Sequence, residues 1–338
     1  MKKLPSHKIE NHSGFHIPIG NKIKTIKQHQ YFIVKDKSIS GDAPKAFMYI
    51  YEYARNSKVR KSNSNSWASY IVKTGHKWYP IESITEYLLN QLGIDFGLNM
   101  ADSKIILISG QLRFCSRYFL KDKKSELVHG ADIFAGYLGD KAFVESIEEE
   151  QLSRDLFTLQ FIEKSIEYIF YYQKDIIMFE LVRMLLFDAL VGNNDRHFYN
   201  WGVIRTLNNS KNPIFSPIYD TARGLFWNES ESKIKNIWFD KNRLLAHIKK
   251  YSDSSKPKIG WEGEKNINHF NLVEKICKEM FYISRQQLNE LFSDTVLQKM
   301  LYTINVRFKN YYSKERIEMI TKCIEYRYNY IEKIISQC

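Results

Sequence analysis

The sequence contains little cysteine and none of the spacings through which cysteine and histidine usually bind zinc. Four cysteines occur in 338 residues, at Cys115, Cys277, Cys323 and Cys338, and no two of them form a Cys-x-x-Cys pair. This absence excludes a common class of structural zinc site. We therefore expect the cysteines to be reduced, structural thiols.

A secretory signal and a long hydrophobic run are also missing. No apolar run follows the positive charges of residues 1–7, so they do not predict a secretory signal. The most apolar stretch, residues 175–191, is too short to cross a bilayer and includes Glu180, Arg183 and Asp188. We expect a protein without a membrane span that works in the cytoplasm, with a secreted effector as the alternative.

Composition and charge indicate a globular chain with a basic surface. Hydrophobic residues make up 44% of the sequence and aromatic residues 14%, which is enough to offset chain entropy and excludes global disorder. At 338 residues, the chain is long enough for two lobes. The net charge of +12 favours an anionic partner such as a nucleotide, nucleic acid or acidic protein, but it fits an ordinary basic surface equally well.

The first part of the chain predicts an arm followed by a β-hairpin. Residues 1–30 are polar and show little periodicity, as in an N-terminal arm. Residues 31–37 and 46–53 are rich in aromatic and β-branched types, and the turn-forming residues 38–45 separate them. The basic, polar residues 55–66 predict a surface loop.

The next part predicts three more strands and one helix. Residues 67–73 form the first of these strands, and a helix follows that Pro80 opens and Gly93 ends. Residues 103–109 and 112–119 predict the other two strands. Together with the hairpin, these elements predict a small β-rich lobe with one helix.

Helical spacing dominates the rest of the chain, from about residue 122. We predict helices at residues 131–138, 163–171, 175–190 and through most of 266–338, with two strands at 201–206 and 213–220. The sequence therefore predicts an α+β chain of three parts: an arm at 1–30, an N-lobe at 31–121 and a larger helical C-lobe at 122–338.

Three polar side chains near the middle of the chain are of the kinds that phosphoryl transfer requires. Asp195 and Asn200 precede a predicted hairpin that returns the chain to Asp220. A carboxylate can deprotonate an acceptor hydroxyl, and two further oxygen ligands can hold Mg²⁺. We predict Asp195 as the base and Asn200 and Asp220 as metal ligands. The alternative is that both aspartates cap turns or helices, and the Asp-x4-Asn spacing alone favours that alternative.

These residues also carry a family resemblance. The segments GNNDRHFYN at residues 192–200 and SPIYD at residues 216–220 resemble the catalytic and metal-binding motifs of the HipA family of bacterial toxin kinases. The first segment is also similar to that of the phosphoinositide kinases. The resemblance implies a bilobal, protein-kinase-like fold that binds ATP and Mg²⁺, here in a short form without the extra N-terminal subdomain.

The predicted hairpin tip resembles the phosphate loop of this family. Its residues Ser38, Ser40, Gly41 and Lys45 match a pattern of small residues followed by lysine. Small residues allow backbone N–H groups to approach phosphate oxygens closely. The resemblance implies that Ser38 or Ser40 is autophosphorylated; the alternative for the segment is an ordinary hairpin turn.

A lysine and a glutamate complete the predicted nucleotide site. Lys73 ends a predicted strand, where kinases place the lysine that contacts the α- and β-phosphates of ATP. Glu82, on the next helix, matches the glutamate that orients this lysine, and Glu86 is the fallback partner one turn along. Residues 114–121 fall where the resemblance implies an interlobe hinge.

The resemblance implies a serine/threonine protein kinase, a toxin of a toxin-antitoxin system or a related effector, that transfers phosphate from Mg-ATP to a protein hydroxyl. Some relatives phosphorylate aminoacyl-tRNA synthetases, and a helix-turn-helix antitoxin is the implied partner, so contact with nucleic acid would be indirect. Two alternatives are a kinase of lipids or small molecules and a non-catalytic interaction protein. Residues 227–263 are a candidate partner surface or an ordinary solvated connection.

Overall fold

We describe the structure from a computed structural model. It describes residues 23–34, 45–53, 59–75, 81–108, 111–120, 124–150, 152–207, 212–264 and 266–338. The predicted phosphate-loop residues Ser38, Ser40 and Gly41 lie outside the described residues, whereas Lys45 lies within them.

A six-stranded sheet forms the N-terminal part of the chain. The strands run in the order β1-β5-β6-β4-β3-β2. Their bounds are β1 Thr25–Ile26, β2 Tyr31–Ile33, β3 Lys45–Ile50, β4 Ala68–Lys73, β5 Ser103–Ile108 and β6 Gln111–Arg117. The antiparallel pairing of β2 with β3 confirms the predicted hairpin, with Tyr31 opposite Ile50.

The short link between the two edge strands forces this sheet to curl. β1 and β2 lie at opposite edges, yet only residues 27–30 connect them. A flat sheet of six strands would separate its edges by roughly 24 Å. The five Cα steps from Ile26 to Tyr31 span roughly 18 Å at most. The curl encloses a small apolar core made of Ile26, Met48, Ile50, Tyr70, Val72, Ile106, Ile108 and Cys115.

One helix packs against the other face of the sheet. Helix α1 spans Glu82–Asp95 and buries Ile84, Leu88 and Leu92 completely. The prediction that Gly93 ends this helix was wrong. The helix continues to Asp95. A Cβ added at Gly93 would collide with the sulfur of Met100, so glycine at this position lets Met100 pack closely against the last turn of the helix.

A second sheet of three strands belongs to the C-terminal part. It has the order β7-β8-β9, with β7 at Ser125–His129, β8 at Gly202–Thr206 and β9 at Ile214–Phe215. Strand β7 was not predicted, because its five residues are all only partly buried and its partner β8 is distant in sequence. The sequence contains no turn next to β7 that would indicate this pairing.

Helices form most of the remaining chain. They are α2 Gly130–Leu138, α3 Lys141–Glu149, α4 Ser153–Leu156, α5 Leu159–Ile169, α6 Lys174–Val191, α7 Glu231–Trp238, α8 Lys241–Ser254, α9 His269–Glu279, α10 Arg285–Leu291, α11 Asp294–Tyr302 and α12 Lys314–Gln337. The predicted α+β class, with a β-rich N-terminal part and a helical C-terminal part, is confirmed. Among the described residues, no helix is both long and apolar enough to cross a bilayer.

Helix α6 lies at the centre of the C-terminal part. Its residues from Leu181 to Val191 are almost all buried, so the helix has no exposed face over its last three turns. A helix that is apolar all round is typical of a protein core. Arg327 of α12 donates to the carbonyl of Ala189 through Nε and Nη2. The C-terminal end of α6 is therefore held firmly in place, and the residues that follow it begin from a fixed point.

The close pairing of β7 with β8 can be tested at Gly202. An added Cβ there would lie 2.5 Å from the backbone oxygen of Val128. We expect Gly202→Ala to lower the free energy of unfolding by about 1–3 kcal/mol, because the backbone of β7 cannot move away from the added methyl group as easily as a side chain could. Urea unfolding measures this loss.

Gly136→Ala is the matched control, since an added Cβ there would meet only Cδ1 of Ile169 at 3.2 Å. This control should change stability by less than about 1 kcal/mol. Equal losses for the two variants would contradict the described pairing.

Candidate active site

The predicted base lies in a loop that begins at the buried end of α6. Gly192 ends the helix with a φ of 66°, in the left-handed region where glycine is favoured. Its carbonyl accepts a hydrogen bond from the hydroxyl of Tyr251 at 3.1 Å. An added Cβ at Gly192 would lie 2.8 Å from that hydroxyl oxygen, so close packing also requires glycine here. The loop therefore leaves the helix in a fixed direction.

A buried ion pair supports the loop from below. Arg196 donates through Nε to Oδ2 of Asp188 at 2.8 Å and through Nη2 to Oδ1 at 3.1 Å, and both side chains are 1% exposed. Asn193 also donates to Oδ1 of Asp188 at 2.8 Å. Both carboxylate oxygens thus accept hydrogen bonds, as a buried charge requires.

The same guanidinium joins the two segments that carry Asp195, Asn200 and Asp220. Nη1 of Arg196 donates to the carbonyls of Asn200 and Tyr219, both at 2.9 Å. Nη2 donates to the hydroxyl of Thr221 at 2.6 Å. Tyr219 and Thr221 flank Asp220 in the chain. Arg196 therefore brings the segment of Asn200 against the segment of Asp220, as the prediction of a shared metal site requires.

Two lysines hold the carboxylate of Asp220. Nζ of Lys73 is 2.6 Å from Oδ1, and Nζ of Lys45 is 3.2 Å from Oδ2. Burial alone would raise the pKa of Asp220, but the two ammonium groups hold it well below its ordinary value. Burial alone would lower the pKa of Lys73, but Asp220 and Glu86 keep it above its ordinary value. Asp220 and Lys73 are therefore both charged at neutral pH.

Asp220 also has an unusual backbone conformation. Its φ is 54°, and Leu225 and Phe226 further along have φ values of 49° and 62°. For a residue with a Cβ, this left-handed conformation costs roughly 1–2 kcal/mol. Such strained residues cluster at functional sites, where the surrounding structure enforces them. Here the enforcing contacts include those from Arg196 and the lysines.

The partner of Lys73 on helix α1 is Glu86 and not the predicted Glu82. Nζ of Lys73 is 2.6 Å from Oε1 of Glu86, and the Glu86 side chain is 5% exposed. Glu82 is the first residue of α1, whereas Glu86 lies one turn further along the same face. The lysine therefore meets the second turn of the helix, and the fallback partner is correct. Burial raises the pKa of Glu86, an effect that Lys73 opposes.

The carboxylate of Asp195 faces a different cation. Nε of Arg223 is 3.3 Å from Oδ2 of Asp195, and the Asp195 side chain is 20% exposed. Burial raises the pKa of Asp195, while Arg223 and His197 act in the opposite direction. Partial exposure together with a raised pKa is typical of a carboxylate that accepts protons.

The donor set fits Mg²⁺ that shares its coordination with phosphate oxygens. Nδ2 of Asn200 donates to the backbone oxygen of Asp195 at 2.8 Å, which leaves its amide oxygen as the atom for a cation. Across the described part of the chain, no three His, Cys, Asp or Glu side chains form a cluster that could enclose a metal. One carboxylate and one amide oxygen match the few protein ligands that Mg²⁺ takes when substrate phosphates supply others.

Several residues of the site were not predicted. Arg196 is part of the motif at residues 192–200, but its spacing does not indicate that it joins two segments. Asp188 gives a usable signal, because a carboxylate within an apolar helix requires a partner. Arg223 gives no signal beyond its position after Asp220.

Comparisons with known proteins identify the family. The HipA-like C-terminal domain family matches residues 37–296, well over half of the chain, so the chain belongs to this family. The crystal structure of CtkA, a proinflammatory kinase of Helicobacter pylori, is similar with a TM-score of 0.70 and 16% sequence identity, covering 93% of this chain and 98% of that chain. This likeness shows a kinase-like fold, as predicted.

A second solved structure is HipA of Shewanella oneidensis MR-1 in complex with HipB and operator DNA. It has 12% sequence identity and a TM-score of 0.41, and it covers 99% of this chain and 71% of that chain. A likeness this weak carries no argument about this chain. A search of the curated proteins finds no match.

The pairing of Lys73 with Glu86 can be tested by measuring stability. Glu86→Gln removes a buried charge from the Lys73 ion pair and should lower the free energy of unfolding by about 1–3 kcal/mol. Glu145→Gln is the control, since it removes a carboxylate from the exposed pair with Lys141 on α3, and it should cost less than about 1 kcal/mol. Urea unfolding midpoints give both values. Equal losses for the two variants would contradict the buried pair of Lys73 with Glu86.

Proposed function

We propose that this chain is a serine/threonine protein kinase of the HipA type, which transfers the γ-phosphoryl group of Mg-ATP to a protein hydroxyl. Family membership and the kinase-like fold support this proposal. The observation that carries it is the position of Asp220, which contacts two lysines and lies next to the segment of Asp195 and Asn200.

The two lysines are suited to binding phosphate. Lys45 and Lys73 lie directly opposite each other on the neighbouring strands β3 and β4. Two like charges in this position repel each other and destabilise the sheet unless an anion lies between them. Asp220 supplies that anion in the structure. The phosphates of ATP would supply it when nucleotide is bound, while Glu86 keeps Lys73 oriented.

The residues around Asp195 would perform the transfer. The acceptor hydroxyl would give its proton to Asp195 while the hydroxyl oxygen forms a bond to the γ-phosphorus. The bond from that phosphorus to the bridging oxygen of ADP would break in the same transfer. Asn200 and Asp220 would hold Mg²⁺, which neutralises charge on the phosphates. Residues Ser38, Ser40 and Gly41 would cover the phosphates in the bound state, as in the family resemblance.

Phosphate incorporation tests the proposal. Purified protein incubated with Mg-ATP and a bacterial cell extract should label protein substrates. Asp195→Asn and Asp220→Asn should each reduce the labelling by about 10³-fold or more, since one removes the base and the other a metal ligand. A phosphoproteome comparison between wild type and Asp195→Asn identifies the acceptors.

The chain offers a control of the same chemical change. Asp240 caps helix α8 by accepting from the backbone of Asn242 and Arg243, outside the proposed site. Asp240→Asn should retain labelling, since asparagine also caps helices well. Undiminished labelling by Asp195→Asn would contradict the mechanism. Labelled lipid or small molecules, without labelled protein, would favour the alternative class of kinase.

The family resemblance also implies autophosphorylation and a protein partner. We propose that Ser38 or Ser40 receives phosphate, whose added charge would oppose nucleotide binding beside the phosphates. The intact mass of the protein after the same ATP incubation reports this modification, and a protein unmodified at both serines would contradict it. A toxin role in the cytoplasm, with a helix-turn-helix antitoxin and an aminoacyl-tRNA synthetase as substrate, is carried over from the family alone.

A further inference from the structure

Arg223 has no role in the transfer described so far, although it lies beside the proposed base. Its Nε is 3.3 Å from Oδ2 of Asp195, and its side chain is 32% exposed. The centre of its guanidinium group lies 5.3 Å from the centre of the Trp227 ring. Arginine stacks on aromatic rings while its N–H groups point outward from its edge. Arg223 is thus oriented by a ring at the partly exposed side of the site.

The backbone at Arg223 is tied to the loop of the base. Asn194 donates from its backbone N–H to the carbonyl of Arg223 at 3.1 Å. Two residues earlier, Thr221 accepts a hydrogen bond from Arg196. Arg223 therefore keeps its place relative to Asp195 through backbone contacts as well as through the ion pair.

The position of Asp195 limits where the transferred group can lie. A base must lie about 2.6–3.2 Å from the hydroxyl oxygen that it deprotonates. That oxygen forms the new bond to phosphorus, so the other phosphoryl oxygens lie within a few ångströms of the carboxylate. A guanidinium 3.3 Å from the carboxylate is within reach of them. The guanidinium of Arg223 carries five N–H donors in a planar arrangement.

We propose that Arg223 is a catalytic residue that donates hydrogen bonds to the transferred phosphoryl group and stabilises its charge in the transition state. The inference rests on the proposed kinase function. The bonds that form and break are those of the proposed transfer: the acceptor oxygen bonds to the γ-phosphorus, the bond from that phosphorus to ADP breaks, and the proton passes to Asp195. Arg223 stays protonated throughout. Planar, two-pronged donors suit phosphoryl oxygens, and charge on these oxygens dominates the barrier that a kinase must lower.

Binding of a transition-state mimic separates this role from a purely orienting one. Titration calorimetry would compare Mg-ADP with Mg-ADP plus aluminium fluoride, which mimics the transferred phosphoryl group. In wild type, the fluoride should strengthen binding of ADP. Arg223→Gln should lose about 10²-fold of this gain while its affinity for Mg-ADP alone changes by no more than about twofold. Arg223→Lys keeps the positive charge but lacks the planar, two-pronged set of donors, so it should lose about tenfold of the gain in ADP affinity.

The matched control is Arg205→Gln, which removes an exposed arginine of β8 that pairs with Glu126. It should bind both complexes as wild type does. If Arg223→Gln keeps the full gain from aluminium fluoride and lowers only turnover, Arg223 merely orients Asp195 and the inference is wrong. If wild type binds Mg-ADP but gains nothing from fluoride, the inference also fails while nucleotide binding stands. A wild-type protein that binds no nucleotide would overturn the proposed function itself.

Discussion

The buried guanidinium of Arg196 is the contact on which the arrangement of the site depends. It pairs with Asp188 inside helix α6, and it donates to the backbone of Asn200 and Tyr219. A single rigid, planar group thereby connects the helical core, the loop of Asp195 and the segment of Asp220. The ammonium group of a lysine could not make these contacts together, since it lacks the rigid, planar set of donors that a guanidinium has. Removing one partner of a buried pair costs about 3–5 kcal/mol, because the other charge is left unpaired.

The second constraint is the charge balance around Asp220. Lys45 and Lys73 contribute two positive charges, and Asp220 and Glu86 contribute two negative ones. The lysines are held close to each other by the pairing of β3 with β4, so an anion is required between them. In the structure that anion is a side chain that also serves as a candidate metal ligand. Entry of phosphates would let the lysines exchange one anion for another and leave Asp220 for the cation.

Periodicity predicted most of the elements, and motif order selected Asp195, Asn200, Asp220 and Lys73 as candidates for one site. They did not predict contacts that depend on distant segments. Strand β7 was missed because its partner lies more than seventy residues away. Glu82 was preferred to Glu86 because the sequence does not show which turn of α1 meets Lys73.

Close packing and long-range geometry explain the other differences. Gly93 reads as a helix end in sequence, but in the structure it makes room for Met100. The curl of the first sheet follows from the short link at residues 27–30, and this becomes evident only once the edge strands are known. The roles of Arg196 and Arg223 depend on which segments lie together, which no local pattern records. Local patterns thus selected candidate residues, whereas the contacts that hold those residues depend on the fold.

Hydrogen exchange in an Arg196→Lys variant tests the central claim most directly. The claim is that one guanidinium holds two segments, residues 193–200 and 217–224, against helix α6. The variant should therefore exchange backbone hydrogens faster in both segments together, while strands β5 and β6 keep the protection of the wild type. Faster exchange in only one segment, or unchanged exchange in both, would contradict the claim.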